Sequence, residues 1–468
     1  MHLSHWLDEA LDNEIALGNA RDTPRLTGNL STDVCIVGGG FTGLWTSIHL
    51  KMLMPTVNIA LIEKGICGQG ASGRNVGFVM SWMSKAETVT QLMGPEEARH
   101  WLNVSEQAIS DIEDFCKLHN IECHFRRKGW AWVASNDAQA GAWESTLQVL
   151  DTLNFNAFDQ PSREKLQEMT GSTLFVDGVI ERNVASVQPA LLARGLRRVA
   201  IDLGVKIFEQ TPMVGYTASA TPKIMTRSGE ISARSVVLCL DSWAHELPEF
   251  RTKIIPVAYD VVVTEPAPEL VKKLNLDTGI AVSDSRILVE CYRSTADGRL
   301  VFGKVGNHFA RFGRVGSCFD GPASTSTETI RRMHATLPSL ADVAIAKTWR
   351  GPTSRSSTGL PVFGRIAKSR VFFGHGYTGN GVGPSYTGGR VLASLALDLE
   401  DRWARFPLAN SNAGRRLPWE PVRSIGGCLA YRATRRVDRA GDEGTIPTAL
   451  DRWLVSFVPK GLTPSKKK

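Results

Sequence analysis

Three glycines in the run DVCIVGGGFTG, residues 33–43, have the spacing of an anion-binding turn. Gly38 permits a tight turn at the end of an apolar strand, Gly40 lets a pyrophosphate touch the main chain, and Gly43 lets the following helix lie close on that strand. The N–H groups and positive dipole end of that helix then face the phosphates. Glu63 ends a second apolar run, Asn58 to Ile62, and stands 20 positions after Gly43, where a dinucleotide fold places the carboxylate for the ribose hydroxyls. An acid at that point repels a 2′-phosphate, so a dinucleotide lacking one is expected.

Two further glycine-rich stretches extend this chemistry. GQGASGRNVGFVM, residues 68–80, follows the acidic strand end directly. A simple nicotinamide domain would enter its next helix here; instead Gly70, Ala71, Ser72, Gly73 and Gly77 offer small residues and backbone donors, as a large planar cofactor lying on the main chain requires. Near the other end, WRGPTSRSSTGLPVFG (349–364) leads through a short apolar strand at 371–373 into GHGYTGNGVGPSYTGG. Its glycines at 374, 376, 379, 381 and 383 precede a second helix, giving a second start with bare N–H groups aimed at a ligand.

The order of these segments resembles the amine-oxidising flavoprotein superfamily that includes D-amino-acid oxidase, glycine oxidase and monomeric sarcosine oxidase. Within it, ASGRN (71–75) and VECYRSTADGRLVFG (289–303) are most similar to the gamma-glutamylputrescine oxidase group. The resemblance implies FAD, held by Gly38, Gly40, Phe41, Thr42, Gly43, Glu63, Lys64, Gly70, Ala71, Ser72, Gly73, Arg74, Asn75 and Gly77. Asp241, at the end of a later sheet strand, joins them. Gly376, Gly379, Asn380, Gly381 and Val382 would lie at the flavin N1 and C2 carbonyl, where negative charge collects on reduction. It also implies oxidation of a C–N bond in a small amine or N-substituted amino acid, by hydride transfer to flavin N5 and hydrolysis of the imine. That chemistry asks little of side chains beyond holding the substrate in line with its amine unprotonated. Tyr259, Tyr292, Arg293, His375 and Tyr377 are the candidates for the substrate side, with no acid or base singled out.

Two departures from the family pattern bear on chemistry. Monomeric sarcosine oxidase carries a lysine above the flavin that activates oxygen; matching the hairpin strand puts Val301 there, and Lys304 is an odd number of positions away on the other side of the strand. The electron acceptor is therefore oxygen or another oxidant. That enzyme also links its flavin through a cysteine before the last strand, and 349–370 contains none, so FAD is expected to be held without a covalent bond.

The elements that must position these residues give a mixed α/β fold: a Rossmann-like FAD-binding domain, an inserted α+β substrate domain with an antiparallel sheet, and a helical carboxyl-terminal tail. Residues 1–30 form a short helix and linker. Residues 31–85, 183–250 and 349–400 build a discontinuous FAD-binding domain, 86–182 and 251–348 the substrate domain, and 401–468 a basic extension. SVVLCL (235–240) lacks polar alternation and suits the middle of a parallel sheet. Helices are expected over 95–119, 138–153 and 189–203, and a strand over 130–134. Alternation over 257–264, 287–292 and 299–302 predicts an antiparallel sheet with one wet face, with a hairpin turning at Asp297-Gly298.

At 468 residues, 43% hydrophobic and 22% charged, the chain can bury a large core, and no apolar run approaches the ~20 residues of a membrane span. With an acidic amino terminus lacking a signal-type apolar core, a cytoplasmic location is expected. Eight cysteines without a CxxC pair suit reduced thiols, and Cys116, His119, Cys123 and His124 read as buried thiols beside surface histidines, with no metal site. The net charge of +7 is uneven: residues 402–468 hold 14 Lys or Arg against 5 Asp or Glu, +9, leaving −2 for the rest. Helices docked on the body with basic outer faces are favoured over contact with a membrane surface, and no nucleic-acid motif accompanies the charge. Two other functions fit the same cofactor site: oxidation of a hydroxy acid or alcohol, and a non-catalytic FAD-binding redox sensor.

Overall fold

The computed structural model describes residues 2–310, 315–316, 319, 326–409 and 417–458, with 306–309 as backbone only. Cys318 and the last ten residues of the basic extension lie outside the described residues. The chain folds around two eight-stranded sheets.

The first sheet is built on strand Leu30–Val37, whose last four residues are buried, paired in parallel with Ile59–Ile62 on one side and Glu230–Leu238 on the other. Beyond Ile59–Ile62 lies Lys206–Phe208, also parallel. Strand Glu230–Leu238 divides its free edge. Its first residues pair antiparallel with Lys223–Thr226, and Val236 to Leu238 pair in parallel with Val371–Phe373. Those last three residues are buried to within 1% of completely, which is why this stretch carries no polar alternation. The parallel core is the one anticipated for SVVLCL.

The second sheet runs, by strand, 345–356, 254–264, 300–309, 290–294, 281–284, 130–134, 177–181 and 158–159, and is antiparallel except where 281–284 lies parallel to 130–134. Strand 130–134 and the helices Pro95–Leu118 and Pro189–Asp202 match their expected ranges, while 138–153 shortens to Glu144–Thr152 because Gly141, at φ 73°, turns the chain first. The hairpin closes with Ser294 opposite Leu300 and Gly298 at φ 77°. Strand Ile345–Ser356 pairs along its length with Ile254–Thr264, so residues 349–356 sit in this sheet and not in the parallel one.

The expectation of one wet face is overturned. Val261, Val263, Cys291 and Val301 point into the main core, while the alternate residues Val262, Tyr292, Leu300 and Phe302 enter a second core closed by Leu166, Val271 and Met333. Helices Arg163–Thr170, Pro268–Lys273 and Ser326–Thr336 supply that cover. Both faces are dry because three short helices, one of them beginning four residues after the strand Ile254–Thr264, lie on the outer one.

Among the described residues no helix is long and apolar enough to cross a membrane. The carboxyl-terminal helices Val422–Asp442 and Ala449–Val455 dock on the body: Asp438 accepts the N–H groups of Ile287 and Leu288, each at 3.2 Å, and Asp442 pairs with Arg286 at 2.6 Å. Cys116 and Cys123 lie with their sulfurs 3.8 Å apart, both buried.

Two buried charges generate predictions. Arg350 and Asp260 face each other across neighbouring strands of the second sheet and pair bidentately, with Nη2 to Oδ2 at 2.8 Å and Asp260 fully buried. Arg350→Leu removes the bidentate partner of this buried carboxylate and is expected to lower the free energy of chemical unfolding by about 3–5 kcal/mol, whereas Arg350→Leu with Asp260→Leu costs less. Glu181 is the second case. Ser81 donates to its Oε1 at 2.6 Å, Oε2 has no partner, and burial pushes the carboxyl up to about 7. Between the ordinary glutamate value and 7 the folded state holds the extra proton, so this group's contribution to stability falls as pH rises through that window, by on the order of 3 kcal/mol. Denaturation of Glu181→Gln measured from pH 4.5 to 7 should show a flatter decline than the parent protein.

Candidate active site

The two sheets enclose a cavity of about 450 Å³, lined by both. From the first sheet come the strand ends: Gly38 after Leu30–Val37, Glu63 after Ile59–Ile62, and Cys239 to Asp241 after Glu230–Leu238. Gly38 adopts φ 112°, and a Cβ there would lie 2.4 Å from the Cys239 carbonyl oxygen, so the turn tolerates no side chain. The chain then enters helix Phe41–Leu53, whose N-cap Gly40 supplies no side-chain cap; the Phe41 N–H alone is taken, by Ser72 Oγ at 2.8 Å. Helix Val382–Ala396 starts in the same way behind Gly381, again without a side-chain cap. Both uncapped starts border the cavity.

Glu63 is held in place by the main chain. The Gly39 N–H donates to Oε2 at 2.8 Å and the Gly65 N–H to Oε1 at 2.9 Å, opposing the rise in pKa that burial causes. Asp241, at φ 41°, accepts at Oδ1 from Ser354 Oγ (2.5 Å) and the Gly376 N–H (3.2 Å), tying the ends of two strands together. Lys64 Nζ lies 3.7 Å above the Trp243 ring, and both residues line the cavity. Thr42 Oγ1 donates to Tyr377 Oη at 2.8 Å, joining the two helix starts through a buried phenol.

On the second-sheet side the wall is Tyr259, Val289, Cys291 and Val305, with Gly351 to Thr353 and Arg355. Tyr259 Oη and Cys291 Sγ are 2.7 Å apart, and burial raises both groups, the thiol to about 12, so both stay protonated at neutral pH. Arg355 is 6% exposed and makes no ion pair with any described residue. Burial pulls its guanidinium down to about 10, which leaves it charged at neutral pH.

Most residues expected from sequence border this cavity, and several lie elsewhere. Gly38, Gly40, Phe41, Thr42, Glu63, Lys64, Gly70, Ala71, Ser72, Arg74, Asn75, Asp241, Gly379, Gly381 and Val382 line it, as do Tyr259 and Tyr377. Arg74 does so without offering its charge, because Nε, Nη1 and Nη2 donate to the carbonyls of Gln69, Arg350 and His2. Gly43, Gly73 and Gly77 are packing residues: a Cβ on them would lie 2.0 to 2.3 Å from the carbonyl oxygens of Gly38, Gly68 and Val187 respectively. Gly376 is engaged with Asp241, and Asn380 donates to the Ser81 carbonyl at 2.8 Å.

Three of the five candidate substrate-side residues are displaced. Tyr292 points to the opposite face of its strand from Cys291, stacks on Phe175 and Phe302, and donates to the Thr170 carbonyl at 2.6 Å. Arg293 returns to the face of Cys291 but about 7 Å further along, past the cavity. There it donates to the carbonyls of Val76, Val187 and Ser294 and lies over Trp6. His375 is buried between the rings of Phe250 and Phe373 with neither nitrogen partnered, and burial lowers it to about 3. Val301 is a core residue and Val305 is the strand's contribution to the wall. Lys304 faces away as expected, paired with Glu290 at 2.7 Å. Arg355, Cys291 and Val289 were not singled out from sequence; a lone cation in the small polar run TSRSST was the one signal available for the first.

Two uncapped helix starts, a carboxylate at the second strand end and a cavity reaching into the antiparallel sheet suit a long dinucleotide with a planar head. Residues 33–395 match the family described as DAO, FAD dependent oxidoreductase. The chain belongs to that family. It is 28% identical over 393 residues to the probable oxidoreductase OrdL of Haemophilus influenzae, spanning 82% of this chain and 87% of that protein. It is 25% identical over 422 residues to gamma-glutamylputrescine oxidoreductase of Escherichia coli, spanning 89% and 95%. Glycine oxidase from Geobacillus kaustophilus superposes with a TM-score of 0.67 at 19% identity, over 82% of this chain and 99% of that one, which shows the shared fold.

In this FAD-dependent family member, replacing Glu63 removes the acceptor of two main-chain N–H groups as well as the carboxylate facing the cavity. Glu63→Leu is expected to raise the FAD dissociation constant at least tenfold, read as visible absorbance retained after gel filtration and by titration with added FAD.

Proposed function

We propose that the protein oxidises a C–N bond in a small amine that carries a carboxylate, such as an N-substituted amino acid, with FAD held without a covalent bond. The observation that carries the reading is Arg355: a buried, charged guanidinium on the cavity wall with no carboxylate beside it among the described residues. A cation in that position is stabilised when an anionic ligand arrives, and its planar fork matches a carboxylate. The cofactor supplies a hydride acceptor when bound.

The side chains contribute orientation and protonation state. Arg355 fixes the carboxylate end of the substrate, and the protonated Tyr259 hydroxyl on the same cavity wall limits how that end turns. The apolar wall formed by Val289, Cys291 and Val305 disfavours an ammonium and so favours the neutral amine that the oxidation requires. The N–H groups at Gly381 and Val382, uncapped at their helix start, stabilise negative charge building at that end of the cavity. Relatives named gamma-glutamylputrescine oxidoreductase and glycine oxidase take their names from amine-bearing compounds, which supports the reaction class.

Anaerobic mixing with a panel of N-methyl amino acids, the matching amines without carboxylate, glutamylated polyamines and alcohols tests the proposal through flavin bleaching. Arg355→Leu should reduce kcat/KM for carboxylate-bearing amines by about 10- to 100-fold while changing that for decarboxylated amines little. Equal loss on both would remove Arg355 from substrate binding. Bleaching by alcohols alone, or by nothing in the panel, would replace the amine reading with one of the other two.

A further inference from the structure

The carboxyl-terminal helices sort their charges by direction. Asp438 and Asp442 on helix Val422–Asp442 face the body, holding the Ile287 and Leu288 N–H groups and Arg286. Glu420 is paired with Arg423 at 2.7 Å and Asp451 with Arg436 at 2.5 Å. Arg432, Arg435 and Arg439 make no ion pair among the described residues, and Arg452 donates only to the Pro447 carbonyl. Of the five acids in residues 402–468, Glu420, Asp442 and Asp451 are ion-paired and Asp438 is held by main-chain N–H groups, while Arg432, Arg435 and Arg439 stay exposed.

The same outer surface is apolar where it is not basic. Val422, Ile425 and Leu429 recur three and four residues apart and are 51%, 60% and 46% exposed, with Trp419 at 70% just before the helix. Leu450, Trp453 and Phe457 follow on the second helix, the last two rings in edge contact at 5.0 Å. Eight of the seventeen exposed large apolar side chains among the described residues lie between 419 and 457, and they include all the exposed aromatics. These side chains fall in under a tenth of the chain, on two helices joined by the Arg436–Asp451 pair, a concentration beyond scattered surface exposure.

We propose that this face lies on an anionic lipid surface, with Trp419, Trp453 and Phe457 at headgroup depth and Arg432, Arg435 and Arg439 against lipid phosphates. Tryptophan, with an apolar body and a polar N–H, suits that boundary, and a basic amphipathic helix lies in its plane. The remaining 401 residues carry −2 against the segment's +9, so a negative surface also orients the molecule with this end toward it. A second copy of the chain fits less well: a two-fold contact would set the unpaired arginines against one another with only Glu443 to offset them.

The test is co-sedimentation of the full chain, purified with its flavin, on vesicles of phosphatidylcholine alone or with about one-third phosphatidylglycerol. The protein should pellet with the anionic vesicles at low salt, at least tenfold less with phosphatidylcholine alone, and be released by raised salt. Each of Arg432→Gln, Arg435→Gln and Arg439→Gln should weaken partitioning about fivefold. Ile425→Asp with Trp453→Asp should leave the protein in the supernatant while its flavin content stays unchanged, which shows that the fold persists. Failure of the parent protein to pellet with anionic vesicles, or unchanged pelleting of the Asp variant, overturns the proposal. So does a dimer in sedimentation equilibrium that the Asp variant converts to monomer, because a second copy would then cover the face.

Discussion

The structure depends on bringing two uncapped helix starts to one cavity from positions more than 300 residues apart. Helices Phe41–Leu53 and Val382–Ala396 lie so close that a Cβ at Gly389 would sit 2.6 Å from the Trp45 Cβ and 2.9 Å from the Thr46 nitrogen. That backbone approach, with the Thr42 to Tyr377 hydrogen bond at the cavity end, fixes the two sets of N–H groups relative to each other. Each start alone would be an ordinary anion site. Together they give one cavity two sets of uncapped N–H groups, an arrangement that suits the two ends of a single anionic ligand.

Around that axis the second sheet acts as a wall whose charges are sorted by distance from the cavity. Arg350 is matched by Asp260, and Arg286, Lys304 and Arg332 are matched by Asp284, Glu290 and Asp442. Among the described residues, Arg355 is the cation of this sheet that lines the cavity without a protein counter-charge, an arrangement that is costly when no anion is near. The basic extension takes part in the same wall. Its inward acids hold the main chain at Ile287 and Leu288, and the next residues along, Val289 and Cys291, line the cavity.

The residues expected from sequence that line the cavity share a property: their position is written in the local backbone. Gly38, Gly40, Glu63, Gly379 and Gly381 sit at strand ends and helix starts, and strand, turn and helix are short-range features carried by apolar runs and glycine spacing. Tyr292, Arg293 and His375 do not line the cavity: Tyr292 is one residue out of phase with Cys291, which exchanges wall for core, Arg293 is in phase but lies past the cavity, and His375 packs between Phe250 and Phe373. The outer face of the second sheet was misread for a related reason. Alternation of Val262, Tyr292, Leu300 and Phe302 with their neighbours reports two different environments, but not whether the second is water or a covering helix.

Sequence by itself determined the FAD family, the mixed α/β fold, the two helix starts and the uneven charge of the last 67 residues, because each follows from local spacing or composition. Tertiary structure alone decided that Arg355 meets the cavity, that Arg293 is bound up with main-chain carbonyls, and that the acids of the extension turn inward while its arginines and aromatics stay out. Those facts depend on pairing between strands and helices hundreds of residues apart, and a side chain's partner across such a distance leaves no trace in the residues beside it.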